Sequence, residues 1–245
     1  MERKSMRSLV VTGGSSGLGA EIIRAAEGHF QYIYNVDIVK PNSWSDLARS
    51  KFVECDLSDP HDIFDSLPGI DCDVLINCAG VNHLSWFEEL YWFDWDRVMN
   101  INARAPWLVA QALFPSIVRY NGTILNIVSN ASHVPMRASL AYNASKAAAH
   151  MVTIQMAREL TKKHSVTVFG ISPAKIAGTK MSEYIEENVP VMRGWTPEQA
   201  RAYQREGLVT GEEVDPKELA KFIVWLVSYK ERHFHLSGCV IPYAL

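Results

Sequence analysis

The chain has 245 residues and a formal net charge of −3, so its electrostatics give no reason to expect nucleic acid or an anionic membrane surface as a partner. Its four cysteines show no C-x-x-C spacing, which predicts neither a metal site nor a disulfide framework. The basic start MERKSMR leads into an apolar run too short for a signal peptide, and no run approaches the ~20 apolar residues of a membrane helix. We therefore expect a soluble, cytoplasmic protein folded as one domain over residues 1–245.

Short apolar runs alternate with stretches of helical period along the whole chain. Because these runs are continuously apolar, they predict parallel strands that helices cover on both faces, which is a doubly wound α/β fold. The predicted strands are SLVV (8–11), YIYNV (32–36), KFVE (51–54), DVLIN (73–77), TILNIV (123–128), VTVFGI (166–171) and CVI (239–241). Helix starts are predicted at Asp59, Thr196 and Asp215, each a capping residue directly before a proline.

The first predicted strand runs directly into the turn TGGSSGLG, Thr12 to Gly19, and then into a helix. Free N–H groups and the positive end of the helix dipole make such a turn suitable for a pyrophosphate, although its glycines follow G-x-x-x-G-x-G rather than the commoner G-x-G-x-x-G. Asp37 ends the second strand, where a carboxylate can accept both hydroxyls of an adenosine ribose. The residues predicted to contact a dinucleotide in this region are Gly13, Ser15, Ser16, Gly17, Leu18, Gly19 and Asp37.

The pentapeptide YNASK places Tyr142 four residues before Lys146. Side chains at this spacing lie on the same face of a helix, and a nearby cation lowers the pKa of a phenol towards the range that acid/base catalysis requires. An ordinary exposed pair on a helix surface is the alternative. Ser129, at the end of the fifth strand, adds a hydroxyl donor that can address the same substrate oxygen.

Pro106 lies four residues after Asn102 in a predicted helix and lacks the N–H that would pair with the Asn102 carbonyl. That carbonyl is either a ready acceptor for an ordered water beside the active site or part of a simple packing kink.

The stretch 178–214 contains two helical pieces and no strand, and it falls before the last predicted strand. Long excursions of this kind are usually functional lids or binding loops, so we expect a substrate lid here. A passive surface insertion is the alternative.

Five motifs together resemble the short-chain dehydrogenase/reductase family: TGGSSGLG, NCAG (Asn77 to Gly80), the Asn102 helix, Ser129 and YNASK. The resemblance runs from about residue 8 to about residue 240. It implies a Rossmann-type three-layer sandwich with a seven-stranded parallel sheet, a nicotinamide cofactor, and interconversion of an alcohol and a carbonyl on a small-molecule substrate. It also implies a homodimer or homotetramer.

The resemblance further implies the role of each matching residue. Tyr142 is the acid/base, Lys146 lowers its pKa and holds the nicotinamide ribose, Ser129 binds the substrate oxygen, and Asn102 supports a water linked to Lys146. Further cofactor contacts are implied for Asp56, Leu57, Asn77, Ala79, Gly80, Pro173 and Ile176. Because Asp37 suits two free hydroxyls and would repel a ribose phosphate, we expect NAD rather than NADP.

The sequence departs from the family pattern after the sixth strand. It has Pro173-Ala174-Lys175-Ile176 where the family usually has Pro-Gly, and the threonine that commonly contacts the carboxamide comes one place late, at Thr179. A second hypothesis for the function is a catalytically silent dinucleotide-binding module that serves as a redox sensor or scaffold. The intact set Asn102, Ser129, Tyr142 and Lys146 argues against it, because a protein that only binds the cofactor has no need of all four residues.

Overall fold

Continuous apolar runs form the strands of a single sheet in the computed structural model, which describes residues 8–41, 50–229 and 233–244. The basic start at residues 1–7 lies outside the described residues. The strands are β1 (Ser8–Thr12), β2 (Tyr32–Asp37), β3 (Ser50–Glu54), β4 (Val74–Asn77), β5 (Thr123–Ile127), β6 (Thr167–Pro173) and β7 (Val240–Tyr243). All seven predicted strands are therefore confirmed, with ends that differ by one or two residues.

The sheet has the strand order β3-β2-β1-β4-β5-β6-β7, and every neighbouring pair is parallel. The chain moves outward from β1 to β3 and then returns to place β4 on the other side of β1. Ligands of open parallel sheets bind outside the carboxyl ends of the strands at such a reversal. The topology therefore places a crevice between the ends of β1 and β4.

Helices cover both faces of the sheet, as the continuous burial of strands such as β1 and β6 requires. They are α1 (Gly17–Ala26), α2 (Pro60–Ser66), α3 (Trp92–Met99), α4 (Ala105–Ala112), α5 (Phe114–Arg119), α6 (Leu140–His164), α7 (Lys180–Arg193), α8 (Pro197–Glu206) and α9 (Pro216–Ser228). One apolar layer joins α1 and α9 to the sheet, and a second joins α2, α4 and α5 to its other face.

The predicted helix starts are confirmed in their capping geometry. The Asp59 and Asp215 carboxylates accept the N–H groups of His61 at 2.9 Å and Lys217 at 2.8 Å. Thr196 forms a reciprocal capping box with Gln199. These local signals are reliable because each cap satisfies donors that the helix itself leaves unpaired.

The backbone before Pro106 forms a π-helical turn over Asn100–Arg104, which joins α3 to α4. The predicted disturbance near Asn102 is thus present, because a proline cannot continue the regular hydrogen-bond ladder. The stretch 178–214 contains α7 and α8, and one parallel bridge pairs Ile176 with Val214 at its base. None of the helices in the described part of the chain has the length and apolar content that crossing a bilayer requires.

Candidate active site

A cavity of about 690 Å³ lies at the carboxyl ends of the strands and extends from Asp37 to Tyr142. Its volume is within the range of small-molecule and cofactor sites. Most of the predicted residues line it, namely Gly13, Ser16, Gly17, Leu18, Gly19, Asp37, Asp56, Leu57, Ala79, Gly80, Ser129, Tyr142, Lys146, Pro173 and Ile176. Ser15, Asn77 and Asn102 do not line it, and each has a different role described below.

The glycine turn brings the backbone of β1 against the loop after β4. A Cβ on Gly13 would lie 2.7 Å from the Cα of Ala79, so only glycine permits this approach. Gly17 has a φ of +52° and begins α1, and Ser16 before it is extended. The free N–H groups of the first turn of α1 therefore belong to residues that line the cavity, an arrangement that suits a pyrophosphate.

The carboxylate of Asp37 is held at the end of β2 by two backbone donors. Its Oδ2 accepts from the N–H of Ser15 at 3.0 Å and its Oδ1 accepts from the N–H of Val39 at 3.2 Å. The Ser15 hydroxyl in turn accepts from the Asn35 side chain at 2.8 Å. Ser15 thus positions the Asp37 carboxylate through its backbone N–H. This carboxylate lines the cavity at the place where an adenosine ribose would lie.

Tyr142 and Lys146 lie on successive turns of α6, and both are buried. The Nζ of Lys146 lies 5.9 Å from the centre of the Tyr142 ring and donates to the backbone carbonyl of Ile127 at 3.0 Å. Ser129, just past the end of β5, is buried in the same wall of the cavity. The structure therefore brings the three side chains together, and the alternative of an exposed helix pair is excluded by their burial.

Burial determines the electrostatics of this pair. It raises the pKa of Tyr142 above its ordinary value, and a hydrogen bond from Ser129 acts in the opposite direction. Burial also lowers the pKa of Lys146 to about 8. Burial is the largest cause of both shifts, so it favours the neutral phenol of Tyr142 in the folded protein, and the role of Lys146 in lowering the pKa of Tyr142 stays a prediction.

Asn102 connects the π-helical turn to the site without reaching the cavity. Its amide exchanges two hydrogen bonds of 2.9 Å with the backbone of Val81 and donates to the Ser145 hydroxyl at 3.0 Å. A Cβ on Gly80 would lie 3.5 Å from the Asn102 Oδ1 and 3.7 Å from the Lys146 Nζ. Asn102 therefore fixes the loop after β4 against α6, close to Lys146.

Asn77 and Thr12 hold the NCAG loop in place. The Asn77 side chain donates to the carbonyl of Pro106 at 3.2 Å and to Asn126 at 2.8 Å, so it ties β4 to β5 and α4. The Thr12 hydroxyl accepts the N–H groups of Cys78 at 3.0 Å and Ala79 at 3.1 Å. Thr12 ends β1 and begins the predicted TGGSSGLG turn, but the sequence pattern gave it no role of its own.

The sequence pattern did not assign individual roles to the other residues of the cavity wall. They include Ile38, Cys55, Ser58, Cys78, Asn82, Arg97, Asn130, Met136, Lys175, Lys180, Met181, Ile185, Tyr203, Gln204 and Leu208, and the late threonine Thr179 lines the cavity beside Gly17. Most of them belong to loops or to the 178–214 stretch, whose positions no local pattern encodes. Within the described residues, no group of three or more His, Cys, Asp or Glu side chains could hold a metal ion.

Known proteins resemble this chain in sequence over most of its length. A family model for short chain dehydrogenases matches residues 7–190. The sorbitol-6-phosphate 2-dehydrogenase of Klebsiella pneumoniae is 26% identical over 238 residues, which cover 90% of this chain and 88% of the relative. The gluconate 5-dehydrogenase of Gluconobacter oxydans is 30% identical over 190 residues, which cover 71% of this chain and 72% of the relative.

A solved structure from Beutenbergia cavernae has the same fold. It is assigned as an NAD(P)-dependent gluconate 5-dehydrogenase and contains NADP at low occupancy. Its TM-score is 0.84 at 22% identity, and the match covers 96% of this chain and 94% of that chain.

Proposed function

We propose that this chain, which belongs to the short-chain dehydrogenase family, interconverts an alcohol and a carbonyl on a small-molecule substrate with Tyr142 as its acid/base. The family makes the chain an oxidoreductase that acts on CH–OH groups with a nicotinamide dinucleotide. The observation that carries the proposal is one cavity lined by Ser129, Tyr142 and Lys146 as well as by the glycine turn and Asp37.

Each side chain has a defined task at the substrate oxygen. The nicotinamide dinucleotide supplies the acceptor or donor of the hydride. In the oxidation direction, the phenolate form of Tyr142 takes the proton of the substrate hydroxyl as the hydride leaves carbon, and in reduction the neutral phenol gives its proton to the carbonyl oxygen and becomes the phenolate. Ser129 donates a hydrogen bond to that oxygen, and the Lys146 ammonium stabilises the phenolate as Tyr142 loses its proton.

The cofactor proposal is NAD rather than NADP. The Asp37 carboxylate suits the two hydroxyls of the adenosine ribose, whereas a ribose phosphate would bring like charges together. Ser16 and Ile38 stand at positions where a basic residue could compensate. The similar Beutenbergia cavernae structure contains NADP and therefore gives no support for NAD. The proposal of NAD rests on the Asp37 carboxylate of this chain.

We also infer that residues 1–245 act as one domain and that 178–214 is a lid over the substrate end of the cavity. Support for the lid comes from Met181, Ile185, Tyr203 and Leu208, which lie in this stretch and line the cavity. The hypothesis of a catalytically silent module gains no comparable support, because Ser129, Tyr142 and Lys146 meet in that cavity.

Tyr142→Phe tests the proposed function directly. The substitution removes the proton donor and keeps the ring, so we expect kcat on a panel of alcohols and ketones to fall by about a hundredfold or more. NADH affinity should stay within a few-fold of wild type. Sorbitol 6-phosphate, gluconate and cyclohexanol are suitable panel members because they separate a phosphorylated, a carboxylated and an uncharged alcohol.

Tyr32→Phe is the matched control, since Tyr32 begins β2 at the opposite end of the sheet from the cavity. It should leave turnover unchanged. A Tyr142→Phe protein that keeps more than about a tenth of wild-type turnover would refute Tyr142 as the acid/base. A wild type without turnover on a broad panel would favour the silent module.

A further inference from the structure

Lys175 joins three segments of the chain at the substrate end of the cavity. It lies just after β6, where the sequence departs from the usual Pro-Gly of the family. Its Nζ donates to Glu186 of α7 at 2.8 Å and forms an ion pair at 2.7 Å with Glu213, which precedes α9. A second hydrogen bond reaches the side-chain oxygen of Gln204 in α8.

Two hydrogen bonds and one ion pair therefore surround an ammonium group that has three N–H donors. The Lys175 side chain is only 13% exposed, and it lines the cavity. A substrate would therefore have to compete with three protein partners for the Lys175 ammonium. The contacts of this side chain therefore join protein segments, namely α7, α8 and the residues before α9.

The backbone around Lys175 is itself anchored. The Lys175 carbonyl accepts from the N–H of Val214 at 2.8 Å, and the N–H of Ala177 donates to the Val214 carbonyl at 2.9 Å. Val214 is buried in the apolar layer of α1 and α9. Lys175 therefore extends from a rigid base towards the two lid helices.

The lid helices have few apolar anchors of their own. In α8 the buried residue is Ala200, and in α7 the buried residues are Ser182, Val189 and Pro190. Because little apolar surface holds α8, a charged hydrogen-bond network has a large share in determining its position. The bond from Lys175 also lowers the pKa of Glu186, as a favourable contact between the two charged groups requires.

We propose that Lys175 is a positioning residue that fastens α7 and α8 to the carboxyl end of β6 and thereby fixes the lid wall of the substrate pocket. That wall contains Met181, Ile185, Tyr203 and Leu208. The naming of this pocket as the substrate pocket rests on the proposed function. The fastening itself does not.

Hydrogen exchange of the protein without substrate tests the fastening. In Lys175→Met, which keeps most of the length of the side chain and removes the ammonium group, we expect amides of 180–206 to exchange at least about tenfold faster than in wild type. Strands β1, β4 and β5 should be unchanged. Lys221→Met is the control, because it removes an exposed lysine that pairs with Glu218 at the same 2.7 Å.

A pair of substitutions at Glu213 tests the role in positioning without touching the cavity wall. Glu213→Leu removes the ion-pair partner of Lys175, whereas Glu213→Gln keeps a polar oxygen in its place. With the panel alcohol that wild type turns over fastest, Glu213→Leu should raise KM about tenfold and leave kcat within about threefold, since Ser129, Tyr142 and Lys146 lie outside the lid. Glu213→Gln should stay within about threefold of wild type on both constants.

Two results would overturn the proposal. Exchange over 180–206 within twofold of wild type in Glu213→Leu, and in Lys175→Met if that variant folds, would exclude the fastening. Faster exchange with an unchanged KM would exclude the positioning of substrate. A wild type without turnover would refute the proposed function and the pocket assignment, while the exchange measurement would still decide the fastening.

Discussion

Lys146 holds an ammonium group in a nearly sealed part of the molecule, with 4% of its surface exposed. Burial disfavours its charged form, so its pKa falls to about 8, while burial raises the pKa of the neighbouring Tyr142. Both groups are thereby moved away from the charged forms that catalysis uses. Active sites commonly carry such a cost in folding free energy.

Lys146→Met should expose this cost through the pH dependence of stability. The folded pKa is lower than the unfolded value near 10.5, so the unfolded chain binds more protons between pH 8 and 10.5. The cost is therefore complete below about pH 8 and declines as pH rises towards 10.5. We expect the free energy of unfolding of wild type to gain about 1 to 2 kcal/mol relative to Lys146→Met between pH 7 and pH 9.5.

Urea unfolding of both proteins at the two pH values measures this difference. Lys221→Met is again the control, because Lys221 is exposed and its substitution should track wild type closely. A constant difference between wild type and Lys146→Met across this range would contradict the lowered pKa. The variant should also lose turnover.

At the scale of elements, the glycine turn, the start of α1 and the end of β2 act as one unit. Gly13 packs against Ala79, the first turn of α1 lines the cavity, and Ser15 orients Asp37. Each part comes from a different element, and the parallel order β2-β1-β4 brings them to one edge of the sheet. The unit presents N–H donors for a pyrophosphate beside a carboxylate for a ribose.

Asp37→Ala tests cofactor choice in this unit. At roughly 4 Å and an effective dielectric near 20, two like unit charges cost about 4 kcal/mol before screening and rearrangement reduce the repulsion. A quarter of that figure still leaves a preference of wild type for NADH over NADPH of roughly five- to thirtyfold, once both phosphate charges are counted. The mutant should lose most of this preference, as measured by dissociation constants for both cofactors.

Asp65→Ala is the matched control, since Asp65 is an exposed carboxylate on α2 and its loss changes the net charge equally. It should keep the wild-type preference. Equal affinities of wild type for NADH and NADPH would overturn the assignment of NAD.

At the scale of the whole molecule, large apolar side chains remain exposed on α3 and α6. Trp92 and Phe93 of α3 are 75% and 54% exposed, and Met151 of α6 is 61% exposed. Monomeric proteins rarely expose extended apolar patches, which more often mark interaction surfaces. We therefore propose a homodimer or homotetramer that uses these two helices.

Light scattering at micromolar concentration tests the assembly. Wild type should have the mass of a dimer or tetramer, and Met151→Glu should lower it because a charge would be buried between subunits. Val209→Glu is the control, because Val209 is 86% exposed and lies in the turn after α8. A monomeric wild type would exclude the proposal.

The sequence by itself determined the parts of this protein that depend on local pattern. Apolar runs specified seven strands, proline-linked caps specified helix starts, and the spacing of Tyr142 and Lys146 predicted a shared face, which the structure contains. These features are readable because propensity, capping and periodicity act within a few residues along the chain.

Only the tertiary structure decided which polar side chains face the cavity and what burial does to them. Asn77 and Asn102 turn away to hold loops, and Thr12 joins the NCAG loop from a strand far away in sequence. Lys175 finds its partners in three separate segments. Contacts of this kind, and the raised pKa of Tyr142, depend on which surfaces the packed sheet and helices bring together and remove from water, which no local pattern encodes.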